Sequence, residues 1–217
     1  MKRIRGLIIF CFYYGTMFSQ LTEDFSDGDF NNNPNWTGDT IEFIVNSDFK
    51  LQLNAPSNTD TSYLCVETGT LNSNANISWE FYIRLDFSPS NNNNVRYYLT
   101  SNNNNLKGYL DGYFIRVGEN GSLDKLKFYR QDGLNTTLLG SSIHSSFGVN
   151  PEFRVKVNRD INGNWEVLSD TIGGNNFIYE LGVSDNNHTF SSFSGLWCKH
   201  TSSNNDNFYF DDINISG

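Results

Sequence analysis

One run of this 217-residue chain constrains its fold more than any other. Across residues 77–87, Trp79, Phe81, Ile83, Leu85 and Phe87 alternate with Glu80, Tyr82, Arg84 and Asp86. Successive side chains on a strand point to opposite faces, so the apolar residues share one face and the polar ones the other. A helix would scatter them around its axis. The run therefore predicts a long strand with one buried face, and such a face needs a second layer to cover it.

Shorter runs of the same kind lie on both sides. They cover 41–45, 49–53, 63–66, 95–99, 113–117, 126–130, 137–139, 153–157, 165–168, 177–181, 193–198 and 208–215. About twelve strands are expected in all. The gaps carry turn chemistry: Asn91–Asn94, Asn102–Asn105, Gly173–Asn176 and Asn186–Asn187. Asp160-Ile161-Asn162-Gly163-Asn164 separates two alternating runs and predicts a hairpin. Pro34, Pro56, Pro89 and Pro151 all fall outside strand interiors, as a sheet requires. Asn occurs 32 times and Ala twice, so the best helix former is nearly missing. A helical bundle and a coiled coil are excluded. A dozen antiparallel strands with one apolar face each are best buried as two stacked sheets. The expected fold is all-β, a two-sheet antiparallel β-sandwich of jelly-roll type, with the first and last strands as neighbours.

The N-terminus reads as a secretory signal over residues 1–19. Lys2, Arg3 and Arg5 precede an apolar stretch over residues 7–14, and Gly15, Thr16 and Ser19 supply small residues near a cleavage point after Ser19 or Gln20. An uncleaved anchor is the alternative. A lipoprotein signal on Cys11 is disfavoured, because Cys11 lies inside the apolar run. Residues 20–217 then form one domain, secreted or at the cell surface. Removal of the leader takes three of the 15 basic residues and leaves 12 against 24 acidic ones, so the net charge moves from -9 to -12. That sign disfavours nucleic acid and anionic lipid, and permits divalent cations and neutral sugars. No later stretch reaches the roughly 18 apolar residues that a membrane span needs. Cys65 and Cys198 remain. They would either pair as a disulfide or stand apart as buried thiols, and their spacing does not suit zinc.

Several segments together resemble a known module. They are Glu23-Asp24-Phe25-Ser26-Asp27-Gly28-Asp29-Phe30, Trp36-Thr37-Gly38, Trp79-Glu80-Phe81, Tyr129-Arg130-Gln131-Asp132-Gly133, Leu196-Trp197-Cys198-Lys199 and Phe208-Tyr209-Phe210-Asp211-Asp212-Ile213. The chain resembles secreted Bacteroidota β-sandwich modules of the concanavalin A-like lectin/glucanase class, of the kind found ahead of lamin-tail domains. The resemblance implies the sandwich fold over residues 20–217. It leaves lectin, glycan-binding and glycosidase roles open. With the sequence ending at Gly217, both a lone module and a piece of a larger surface protein fit it.

Three kinds of chemistry follow. First, Glu23, Asp24, Asp27 and Asp29 lie near the start, and Asp211 and Asp212 near the end. The resemblance implies a structural Ca²⁺ between those ends, and carboxylates are suitable hard-cation ligands. Alternation would turn one of Asp211 and Asp212 inward, where it needs a partner. Equally, these acids could be solvated turn and edge residues. Second, Tyr97, Tyr98, Tyr113, Trp165 and Trp197 occur with Arg116 and Arg130. Aromatic rings receive sugar C–H faces and guanidinium groups take hydroxyls, so these seven are the candidate carbohydrate contacts. Individually, each ring also suits the core. By parity with Phe193, Trp197 is expected to face inward. Third, catalysis lacks its motifs. No E-x-D-x-x-E, G-x-S-x-G or H-E-x-x-H pattern occurs. A lyase could still assemble Tyr, His and Arg from distant positions. The expectation is thus a non-catalytic module that binds a polysaccharide or glycan with a structural calcium. Alternatives are an adhesive module docking cell-surface proteins, and a glycan-active hydrolase or lyase.

Overall fold

The structure, a computed structural model, describes residues 21–217 apart from residues 73, 74, 122 and 145. The leader, its cleavage point and Cys11 lie outside the described residues. Strands β1 Leu21–Glu23, β2 Trp36–Gly38, β3 Phe43–Val45, β4 Leu51–Leu53 and β5 Asp60–Asn72 come first. Then follow β6 Ile77–Leu85, β7 Asn94–Ser101, β8 Leu110–Val117, β9 Lys127–Gly133 and β10 Asn135–Ser141. The chain continues with β11 Glu152–Arg159, β12 Asn164–Asp170, β13 Ile178–Ser184, β14 Phe190–His200 and β15 Phe208–Ser216.

These strands form two antiparallel sheets. The eight-stranded sheet runs β13-β12-β11-β6-β15-β4-β3, and β1 pairs with β15 as well. The seven-stranded sheet runs β10-β9-β8-β7-β14-β5-β2. First and last strands are neighbours as expected, with Leu21, Thr22 and Glu23 opposite Ile215, Asn214 and Ile213. β15 therefore lies inside its sheet, with β6 on one side and both β4 and β1 on the other.

The 77–87 alternation holds. Trp79, Phe81, Ile83, Leu85 and Phe87 are all buried, and they meet the inner face of the other sheet. Phe81 stacks on Tyr97 across the two layers, with ring centroids 3.8 Å apart and planes 10° apart. Cutting Trp79 or Phe81 to Ala in such a core costs about 3–5 kcal/mol. The hairpin over 160–164 also forms: Asp160 N–H donates to Asn164 O at 3.0 Å, and Gly163 takes φ +79.

Some local expectations fail. Residues 40–42 make a 3-10 turn and leave Ile41 92% exposed, so the strand begins only at Phe43. β1 and β2 are three residues each, too short for alternation to show. For Cys65 and Cys198, the second of the two expected states, separate buried thiols, is the one found. Both are free and buried, Cys198 in the core between the sheets and Cys65 in a second apolar cluster on the opposite side of the same sheet. Neither Asp211 nor Asp212 faces the core. The pairing of β15 with β6 shifts register between Asp211 and Asn214, and Asp212 takes φ +48. This bulge keeps both Phe210 and Ile213 inside.

Candidate functional site

Two polar regions lie on the seven-stranded sheet. The first is its outer face, and β7 shows why. Val95, Tyr97 and Leu99 join the inter-sheet core, so Tyr98 and Arg96 point outward. The same parity on β14 sends Leu196 and Cys198 in and Trp197 out. A lateral row results, because Tyr63, Trp197, Arg96, Arg116 and Lys127 are successive cross-strand partners.

The Arg96 guanidinium lies 4.3 Å from the Trp197 ring centroid and 4.9 Å from that of Phe114. Its Nη1 donates to Tyr98 Oη at 3.3 Å. Tyr98 Oη donates to Gln131 Oε1 at 2.8 Å, and Gln131 Nε2 donates to Gly133 O at 2.8 Å. Arg116 Nη2 donates to Asn91 Oδ1 at 2.9 Å. Burial, and after it the charge of Arg96, pushes the Arg116 guanidinium below its usual range.

The segment between β7 and β8 folds over part of this face. Its asparagines make local turns: Asn105 N–H donates to Asn103 Oδ1 and Lys107 N–H to Asn105 Oδ1, both at 3.0 Å. Leu106 is thereby buried against Tyr98 and Trp197. Gly195 permits that seat, since a Cβ there would stand 2.9 Å from Leu106 Cδ1 and 2.3 Å from Leu64 O. Beside the segment an open depression of about 300 Å³ is lined by Arg96, Tyr98, Lys107, Gln131, Thr136 and Trp197, among others. Lys107 Nζ pairs with Asp39 at 2.7 Å.

The second region closes one end of the sandwich. The loop from β13 to β14 crosses between the sheets and carries Asp185 and His188. Asp185 Oδ1 accepts from Tyr113 Oη at 2.5 Å, its Oδ2 meets Arg130 Nη1 at 2.5 Å, and its carbonyl accepts from Trp165 Nε1 at 2.9 Å. Arg130 also holds Asp132 at 3.0 Å, and Asp132 meets His188 Nε2 at 2.8 Å. Burial pulls the Asp185 carboxyl up, but the bonds from Tyr113, Asn187 N–H and Arg130 outweigh it and hold it below the usual range. Burial and Asp185 together push the Tyr113 hydroxyl well up. A Tyr, His and Arg set thus converges, but the Tyr113 hydroxyl donates its proton into a carboxylate. The adjoining cavity is about 10 Å³, room for a water molecule and no more.

The seven candidate carbohydrate contacts therefore divide three ways. Tyr98, Arg116 and Trp197 lie on the outer face. Tyr113, Arg130 and Trp165 belong to the end network. Tyr97 is in the core. Trp197 does share parity with Phe193, but their common face is the outer one. Phe114 carried no signal in the sequence, Gln131 stood only as part of the 129–133 turn, and Arg96, near the candidate aromatics in sequence, shares the outer face with Tyr98 by parity.

Among the described residues, the acidic groups near the two ends do not gather into one cluster. Pairing of β1 with β15 brings the chain ends together, but each carboxylate is already engaged. Glu23 Oε1 accepts from Phe25 N–H at 2.8 Å, and burial pulls its carboxyl up. Asp24 holds Ser26, Asp27 holds Asp29 N–H, and Asp29 holds the N–H groups of Asn31 and Asn32. Asp211 pairs with Lys50 at 2.7 Å and Asp212 with Arg154. Among the described residues, no three His, Cys, Asp or Glu side chains group as a metal site.

No protein-family model matches the chain, and no curated protein matches it in sequence. Solved structures do match. The carbohydrate recognition domain of Emp47p superposes with TM-score 0.65 at 11% identity, over 93% of this chain and 96% of that one. The metal-free Emp46p carbohydrate recognition domain gives 0.67 at 9%, over 91% and 95%. The exoplasmic/lumenal domain of VIP36, in a form bound to Ca²⁺ and Man2, gives 0.63 at 10%, over 91% and 87%. At such identities the likeness concerns the fold, and in that respect the chain is a concanavalin A-like β-sandwich of the kind these lectin domains share.

Proposed function

We propose that this chain is a non-catalytic carbohydrate-binding module that holds its sugar on the outer face of the seven-stranded sheet. The observation that carries the reading is the open depression there. Its lining sets the edge of the Trp197 ring beside the half-buried Arg96 guanidinium and the exposed Lys107 and Thr136 side chains. Sugar hydroxyls need that mixture of directed polar groups on an apolar base. The likeness to carbohydrate recognition domains supports the reading. The leader-like N-terminus, with Lys2, Arg3 and Arg5 before an apolar run, supports a secreted or surface setting where glycans are met. A glycan array with the secreted protein tests the reading. Retention on at least one glycan is expected, weakened about tenfold by Arg96→Ala, which removes guanidinium donors from the lining of the depression. Failure to retain any glycan would falsify the proposal.

A further inference from the structure

The outer face carries two adjacent arginines that form no ion pair among the described residues, Glu119 acting on Arg116 only at longer range from its own pair with Lys127. Arg96 and Arg116 stand directly opposite each other on β7 and β8. Like charges in that position destabilise a sheet, so the pair calls for a compensating anion. Arg84, Arg130 and Arg154 each meet a carboxylate within 4.0 Å, whereas Arg96 and Arg116 meet none among the described residues. The nearby cations are engaged: Lys127 at the end of the row holds Glu119, and Lys107 holds Asp39. Both Arg96 and Arg116 also bury an Nε with no hydrogen-bond partner. Buried donors are ordinarily satisfied, and a bound group is one way to satisfy them.

We propose that the sugar on this face carries an anionic group, a carboxylate or a sulfate ester, and that Arg96 and Arg116 take it between them. This rests on the carbohydrate-binding reading above. Guanidinium forks suit oxyanions better than ammonium groups do, because they offer paired donors in a plane. Trp197 and Phe114 fix the Arg96 fork from the ring side, and Asn91 holds Arg116. The chain is acidic overall, at net charge -9, and such a chain would be expected to favour neutral sugars. Screening limits that general repulsion to about 8 Å at physiological salt, so a local cationic pair decides at contact range.

The test separates ring from charge. The probes are a tetragalacturonate and its methyl ester, and a sulfated galactan oligosaccharide with its desulfated form, each titrated by calorimetry. At least one anionic probe is expected to bind about tenfold or more tightly than its neutral counterpart, as one charge-assisted hydrogen bond provides. Arg116→Gln should abolish that preference without lowering Tm, and Arg116→Lys, which keeps the charge but not the fork, should keep part of it. Preference in the uronate pair alone identifies a carboxylate, and in the galactan pair alone a sulfate ester. Equal affinity within both pairs, or binding of neutral array glycans only, overturns the anionic group and leaves carbohydrate binding standing. Silence on all four probes and on the array overturns both.

Discussion

The closed end and the open face of the same sheet use their arginines in opposite ways. At the end, Arg130 is held by Asp132 and Asp185, and Asp185 is held in turn by Tyr113 and Trp165. Each partner has a partner, and the adjoining cavity admits only a water. On the face, Arg96 lines an open depression that has no carboxylate in its lining, and Arg116 stands beside Arg96 on the next strand. A saturated network fastens one sheet to the other. An unsaturated one is left for something outside the protein. Aromatic and Arg residues occur in both regions, so residue type alone does not tell a binding surface from a structural clasp. Whether each charge has been answered does.

The largest expected effect lies at the closed end. Asp185, with its side chain 8% exposed, anchors both Arg130 and Tyr113. Asp185→Ala leaves the buried Tyr113 hydroxyl without its acceptor and Arg130 with Asp132 alone, and should destabilise the fold by about 1–3 kcal/mol and lower Tm by roughly 5 °C. Thermal unfolding by circular dichroism reads this, and a normal Tm with lost glycan binding would invert the two roles. Next comes acid. A carboxyl held below its ordinary 3.8 in the fold stabilises at pH above that value, and loses the contribution as pH falls through the lower folded value. Wild-type Tm should therefore drop below about pH 4 more steeply than that of Asp185→Asn, and parallel acid limbs would deny Asp185 this role. Smaller still, and of opposite sign, is the outer face. Arg116→Gln removes one of two facing like charges and should leave Tm unchanged or raise stability by up to about 1 kcal/mol. A clear loss would make Arg116 part of the scaffold. Finally, EDTA should leave Tm where it is if the acidic groups near the two ends rely on their protein partners alone, and a marked fall would assign them a bound cation.

The layers were legible in the sequence because each long strand has one continuous apolar face. The 77–87 run showed its buried face residue by residue, and the Asn-Gly at 162–163 marked its hairpin. The short strands β1 and β2 left no such trace. The site was only half legible. Adjacent residues on a strand face opposite ways, so Tyr97 and Tyr98 never belonged on one surface, and alternation alone would have separated them. Which face Trp197 takes was not readable, because β14 has apolar residues on both sides, Leu196 and Cys198 within and Phe193 and Trp197 without. The Arg96–Arg116 pairing depends on register between β7 and β8, which contains a shift between Tyr98 and Thr100. No local pattern announces such a shift. The bulge at Asp211–Asp212 misled in the same way, by adding a residue where strict alternation was assumed.

The place of β15 has a consequence for how the molecule is made. It is the last strand to emerge from a ribosome, yet it lies between β6 and β4 with β1 beside it. Residues near 22 must therefore wait for residues near 214 before their sheet can close. Such long-range closure slows folding, and β6, β4 and β1 wait for their shared neighbour until β15 has been made.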